Sequence, residues 1–367
     1  MPITIAALRE TAARERRVAV TPETAKKYAT RGLRVVLESG AGERAGFPDT
    51  AYAGVEFADA AAVAGQADVL LCVQPPADAS VAAMREGAAL IGALHPYQAA
   101  ERLAAYAQRK LTAFSLELLP RTTRGQAMDV LSSQAAVAGY RAMLIAAEAA
   151  PKFFPMLTTA AGTLRPSKVL VIGAGVAGLQ AIATARRLGA MVEGFDVRPE
   201  TREQIESLGA KFLDLGVNAA GQGGYARELT AEEKAAQQAK LAEHVKTVDV
   251  IVTTAAVPGR PSPKIIPESM VDGMKAGAVI VDLAAEGGGN CAATQPGERI
   301  ERGGVTIIGP LNLPSGAPLH ASEMYARNLM HFSELVVVDG AWKPDFEDDL
   351  VAKSCVVRAG EVIFGKA

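Results

Sequence analysis

Two stretches of this sequence concentrate residues that can do chemistry. The first is PRTTRGQAMDVLSSQAAVAGYRA, Pro120 to Ala142. Its first fourteen residues hold two Arg, a Gln, an Asp and two Ser, and Ala, Val and Leu then follow at helical spacing. Two chemistries fit. Asp129 and Ser132 are residue types that cap a helix beginning near Leu131, with Arg121 and Arg124 solvated. The same donors and acceptors can instead fix a polar ligand. Spacing alone leaves both open.

The second stretch is VLVIGAGVAGLQAIATARRLGAMVEGFDVRPE. Gly173, Gly175 and Gly178 stand between an apolar strand end and an amphipathic helix, and Asp196 closes the next strand eighteen residues after Gly178. Each part has a reason in dinucleotide binding. Gly173 makes the tight turn, Gly175 lets the backbone approach a pyrophosphate, and Gly178 lets the helix pack close to the strand. The helix N-terminus offers free N–H groups to phosphate. Asp196 can accept from a ribose 2′-hydroxyl and would repel a 2′-phosphate, which favours NAD over NADP. Arg198 qualifies that preference, since an Arg near this position can accept a 2′-phosphate.

Both stretches need a scaffold, and the composition supplies one. At 367 residues the chain fits about two domains. Hydrophobic residues make up 49%, enough for a large core. The net charge of −2, without a basic run, argues against a nucleic-acid partner. Cys72, Cys291 and Cys355 are scattered and odd in number. They make neither a metal site nor a disulfide framework, so no metal is expected and a reducing cytosol is. No run of about 18 consecutive apolar residues occurs, so no membrane span is expected.

Along the chain, ITIAAL, RVVLESG, ADVLLCVQP, AALIGAL and LTAFSL read as strands, and TPETAKKYATRG reads as a capped helix. A second series has strands KVLVIG, MVEGFD, DVIVTTA, AVIVDLA and VTIIG. Strands alternating with helices predict parallel sheets covered on both faces. The expected fold class is α/β, with two doubly wound Rossmann-like domains and mainly parallel sheets. The first domain is expected over 1–130 plus 336–367, a connecting helix over 131–150, a nucleotide-binding domain over 151–320, and a returning helix over 321–335.

RETAARERRVAVTPETAKKY, the glycine loop, TTAAVPGRPSP and VIVDLAAEGGGN together resemble alanine dehydrogenase and its relative, the NAD(H)-binding subunit of proton-translocating nicotinamide nucleotide transhydrogenase. The resemblance covers nearly the whole chain. RGQAMDVLSSQAAVAGYRA and GGYARE match the transhydrogenase branch. That branch implies a homodimer that binds NAD(H) and exchanges a hydride with NADP(H) on a partner beta subunit. It also implies a small membrane alpha subunit and a cytoplasmic location, with peripheral attachment to the inner membrane through the partners. Arg121, Gln126, Asp129 and Ser132 match the residues around the nicotinamide. By the same resemblance Thr122, Thr123, Arg124, Ala127, Met128, Val176, Ala177, Val197, Gly224, Tyr225, Gln237 and Ala256 are expected NAD(H) contacts. The glycine-rich loop around Tyr225 is expected to act as a lid, followed by a capping box at Thr230 and Glu233.

The alternative is a stand-alone amino-acid dehydrogenase of the alanine dehydrogenase type. Arg17 and His95 match that enzyme's substrate arginine and histidine. Against it, Cys72 and Gln74 in CVQPP stand where its lysines would, and Gln cannot carry a charge or give up a proton. His95 then reads as a remnant or as a hydrogen-bonded structural histidine. Glu286 in DLAAEGGGN either approaches the nicotinamide or serves as a turn residue.

Overall fold

The structure, a computed structural model, describes residues 2–216, 229–256 and 259–365. Its strands in chain order begin with β1 (Thr4–Ala7), β2 (Arg34–Glu38), β3 (Glu56–Ala58), β4 (Val69–Leu71), β5 (Ala89–Gly92) and β6 (Thr112–Ser115). A hairpin of β7 (Leu157–Thr159) and β8 (Gly162–Leu164) follows. Then come β9 (Lys168–Ile172), β10 (Met191–Phe195), β11 (Lys211–Phe212), β12 (Val250–Thr253), β13 (Val279–Asp282), β14 (Arg299–Arg302) and β15 (Val305–Ile308). The chain closes with β16 (Val337–Val338), β17 (Ala341–Trp342), β18 (Cys355–Arg358) and β19 (Glu361–Val362).

The chain divides into two compact units, residues 1–134 with 314–367, and residues 135–313. The first unit holds an eight-stranded sheet in the order β19-β18-β6-β5-β4-β1-β2-β3. Its six central and N-terminal strands are parallel, and the tail adds β18 antiparallel to β6. Alternate residues of β1 face opposite sides. Ile5 and Ala7 enter one core with Leu37 and Phe114, while Ala6 enters another with Leu70 and Leu90. Both sides are covered, which is why these strands are apolar throughout. The Pro318–Val336 helix returns to this unit and buries Tyr325, Leu329, Met330 and Phe332 in the first of those cores.

The second unit holds a seven-stranded sheet, β11-β10-β9-β12-β13-β15-β14, parallel except for β14. Val169 and Val171 of β9 face one core, and Leu170 and Ile172 face the other. Counted from its own first strand, each sheet runs 3-2-1-4-5 in space, the doubly wound order; the first continues with its sixth strand, and the second with its seventh, whose outer edge the antiparallel sixth strand takes. In the second unit the order reverses between β9 and β12, so the loops that leave their carboxyl ends flank the crevice where such sheets take ligands.

The Val130–Ala149 helix carries the chain from one unit to the other. Among the described residues it alone is long and apolar enough to cross a membrane by length and composition. A core helix passes the same measure, and Ala142, Met143 and Ala146 are fully buried in the second unit.

Candidate functional site

In the second unit, β9 ends at Ile172 and Gly173 turns the chain with φ 96°, a left-handed backbone that favours glycine. Thr254, leaving β12, donates its hydroxyl to the Gly173 carbonyl at 3.0 Å and ties the two switch-point loops together. Gly175 is the N-cap of the Val176–Arg187 helix, and no side chain caps it. Gly178, in the first turn, is buried; a Cβ there would sit 1.8 Å from the Gly173 carbonyl oxygen. A Cβ at exposed Gly175 would meet none of the described residues within 4 Å. The glycines therefore divide their work: Gly173 and Gly178 shape the turn, and Gly175 keeps space open above it. Gly139, from the stretch after Asp129, adds a third close approach. Its Cβ would lie 2.0 Å from the Ala177 carbonyl oxygen, so the long helix packs there backbone against backbone.

Asp196 follows β10 and is 8% exposed. Its Oδ2 accepts from the Ala174 amide at 2.7 Å, inside the glycine turn, and from the Arg198 guanidinium at 2.8 Å. Its Oδ1 accepts from the Arg198 amide and Nε, each at 2.9 Å. Burial pushes this carboxyl up, but Arg198 and the two amides outweigh it and hold the group below the usual aspartate range. Val197 is partly buried against the neighbouring core. Val176 is exposed, Ala177 half-buried, and Gln237 buried on the Ala231–Val245 helix. That helix begins with the expected capping box: Thr230 Oγ1 accepts from the Glu233 amide, and Glu233 accepts from the Thr230 amide. Gly224 and Tyr225 lie outside the described residues.

The loop after β12 is fixed by a residue that the sequence motifs do not single out. Asn290 is fully buried. Its amide accepts from the Ala255 N–H at 3.0 Å and donates to the carbonyls of Ala255 at 2.7 Å and Pro263 at 2.9 Å. Ala256 beyond it is exposed. Glu286 accepts from the Asn312 amide at 2.8 Å.

In the first unit, the polar stretch is a series of turns. Asp129 caps the long helix, accepting from the Ser132 amide at 2.9 Å and the Ser132 hydroxyl at 2.5 Å. A short helix over Gln126–Met128 precedes it. That turn sends Met128 into the core and leaves Gln126 exposed. The Ala127 carbonyl accepts from Asn328 at 2.7 Å. Arg124 pairs with Asp348. Arg121, Thr122 and Thr123 are exposed. Asp129 and Ser132 are thus brought together, and the side chains of Arg121 and Gln126 reach the surface of the same turn region.

Arg17, Gln74 and His95 also meet in the first unit, in a connected network. Arg17 forks onto Glu15 at 2.8 and 2.7 Å, both nearly fully buried, and donates to Gln134 at 2.9 Å. Gln74 donates to Glu15 at 3.1 Å and lies 2.7 Å from His95 Nε2. His95 Nδ1 lies 2.9 Å from Glu117. Burial raises Glu15, but Arg17 overrides it and holds the carboxyl at about 2. The contacts of Glu15 with Gln74 and of Glu117 with His95 are not legible in the sequence, because the fold makes them. Among the described residues no group of three or more His, Cys, Asp or Glu could hold a metal ion.

Known proteins resemble this chain over nearly its whole length. Residues 6–138 match the model of the alanine dehydrogenase/PNT N-terminal domain, and residues 142–365 that of the C-terminal domain. The chain is 42% identical to NAD(P) transhydrogenase subunit alpha of Haemophilus influenzae, over 97% of this chain and 70% of that one. In Rhodospirillum rubrum the matching NAD(P) transhydrogenase alpha chain is 46% identical, over 95% of this chain and 94% of that one. Alanine dehydrogenase of Bacillus subtilis is 27% identical, over 94% and 87%. The crystal structure of transhydrogenase from Sinorhizobium meliloti superposes with a TM-score of 0.87 at 41% identity, covering 99% of this chain and 100% of that one. The chain belongs to the alanine dehydrogenase/PNT family, on its transhydrogenase alpha-subunit side.

Proposed function

We propose that this chain is the NAD(H)-binding component of a proton-translocating NAD(P) transhydrogenase. The observation that carries the reading is the switch-point loop of the second unit. Gly173 and Gly178 are sterically obligatory there, Gly175 opens the turn, and Asp196 is tied to the turn's own amide. The residues present fit a dinucleotide. Uncapped amides at the start of the Val176–Arg187 helix hold the pyrophosphate, and Asp196 accepts from the adenosine ribose. Bound NAD(H) supplies the hydride.

Arg121, Gln126, Asp129 and Ser132 hold the nicotinamide end by hydrogen bonds to its carboxamide and ribose. Exchange of a hydride between two nicotinamides releases no proton. These side chains therefore orient and do not act as acid or base. The hydride passes to or from NADP(H) on a beta subunit. A small membrane alpha subunit and the beta subunit carry the proton coupling, and the chain works as a homodimer attached peripherally to the inner membrane from the cytoplasm. The pairing of Asp129 with Ser132 makes the cap and the site one arrangement: the bond that starts the helix also fixes the carboxylate's direction.

The test is an absorbance assay. The purified chain is mixed with the NADP(H)-binding component of a transhydrogenase, NADPH and an oxidised NAD analogue whose reduction is read separately. Rapid reduction that needs both proteins is expected. No reduction with NADH binding intact, together with turnover of pyruvate, ammonium and NADH by the chain alone, would replace the reading with an amino-acid dehydrogenase.

A further inference from the structure

The proposed site contains a conflict that its geometry makes explicit, and the inference drawn from it rests on the NAD(H) reading. An ionised carboxylate offers about four lone-pair positions. At Asp196 four donors already point at them: the Ala174 amide, the Arg198 amide, and Arg198 Nε and Nη2. The ion pair is sheltered, with the two side chains 17% and 7% exposed. A ribose diol adds two more O–H donors that need the same oxygens. The two amides belong to the turn and to the backbone beyond β10 and cannot leave without unmaking them. The guanidinium is the part that can leave.

We propose that Arg198 is a specificity-determining competitor within the chain: its guanidinium occupies the ribose position on Asp196, the adenosine ribose of NAD(H) displaces it, and Asp196 keeps it from a 2′-phosphate. The pair sets two preferences at once. While Asp196 is present, a 2′-phosphate meets a carboxylate first, and Arg198 is spent on that carboxylate. With Asp196 removed, Arg198 is a cation beside the same ribose, and a guanidinium is suited to bind phosphate in a fork. Val197 between them is partly buried against the core, which favours keeping both side chains at the end of β10 in either state.

The experiment is a fluorescence titration of NADH and NADPH against the full chain and three variants: Arg198→Ala, Asp196→Ala and the double variant. Arg198→Ala is expected to bind NADH about threefold to tenfold more tightly, since the displaced competitor is gone. Asp196→Ala is expected to lose NADH affinity and gain at least about tenfold for NADPH, with the gain falling as salt rises. The double variant is expected to lose that gain. Weaker NADH binding by Arg198→Ala overturns the competitor role and makes Arg198 a direct contact. Equal NADPH affinity in Asp196→Ala and the double variant overturns the phosphate role. If the unaltered chain binds neither nucleotide, the NAD(H) reading itself fails, a result distinct from both. Matching thermal melts of all four proteins exclude unfolding as the cause.

Discussion

The three glycines of the second unit's turn should fail in different ways when each receives a single methyl group. At Gly178 the added Cβ would sit 1.8 Å from the Gly173 carbonyl oxygen and 2.8 Å from its carbon. Real Cβ contacts stay above 3.0 Å, so the backbone must open that gap. Neither obstacle is the end of a flexible side chain. The strain falls on the seam between β9 and its helix, and Gly178→Ala should cost about 3 kcal/mol or more. At Gly175 the backbone sits at φ −75°, which alanine adopts freely, and none of the described residues lies within 4 Å of the added Cβ. Gly175→Ala should change stability by less than about 1 kcal/mol. It places a methyl group where the pyrophosphate must approach, so NADH affinity should fall by about 100-fold, or some 2.7 kcal/mol. Denaturant melts and NADH fluorescence titrations on both variants make the comparison. If Gly175→Ala binds NADH as the parent does, the phosphate does not pass over this turn and the assignment of the loop is wrong. If Gly178→Ala melts with the parent, the close approach is not what the glycine is for.

Four further substitutions read other parts of the molecule. Asp129→Asn and Gln126→Ala should slow hydride transfer while leaving NADH binding nearly intact; affinity lost in proportion to rate would mark both as ground-state contacts. Asn290→Ala removes three buried hydrogen bonds to the β12 loop and should destabilise the second unit by about 2–4 kcal/mol, which a thermal melt of that unit measures. Burial, with the Glu15 charge adding to it and outweighing the Val73 and Gln74 amides, lifts Glu10 to about 8 from an ordinary 4.5. Its folded form thus holds a proton that the unfolded chain has lost, so its stabilisation is whole below pH 4.5 and fades as pH rises through about 8. The slope is about 1.4 kcal/mol per pH unit at most. Glu10→Gln should flatten the Tm profile over that window, and parallel profiles for the two proteins would show that Glu10 does not titrate there.

What is legible in the sequence is local. Apolar runs such as VLVI disclose strands buried on both faces, and the Thr21 and Thr230 caps announce helix starts because capping is a three-residue affair. The glycine turn is legible for the same reason, its φ and its close approaches being set within a few residues. The β7–β8 hairpin is not, since all its residues are exposed and leave no burial pattern to read. Nor are the partners of site residues. Glu15 meets Ser315 across 300 positions, and Asn290 reaches back to Ala255 across 35. Arg198 stands two positions from Asp196 in the sequence, yet its saturation of that carboxylate is a matter of rotamer and turn geometry.

The placement of β18 has a consequence for how the chain is made. β6 pairs with β5 on one side, but its other side waits for Cys355–Arg358, 240 residues after Ser115. At 5–20 residues per second a ribosome takes about 12–48 s to supply them. Within that interval the second unit, a continuous segment, is made with every strand it needs, while the first carries an unpaired edge with Phe114 beside it. The unit made first is therefore the one finished last. Its exposed edge is the place where a nascent chain meets chaperones or another copy of itself.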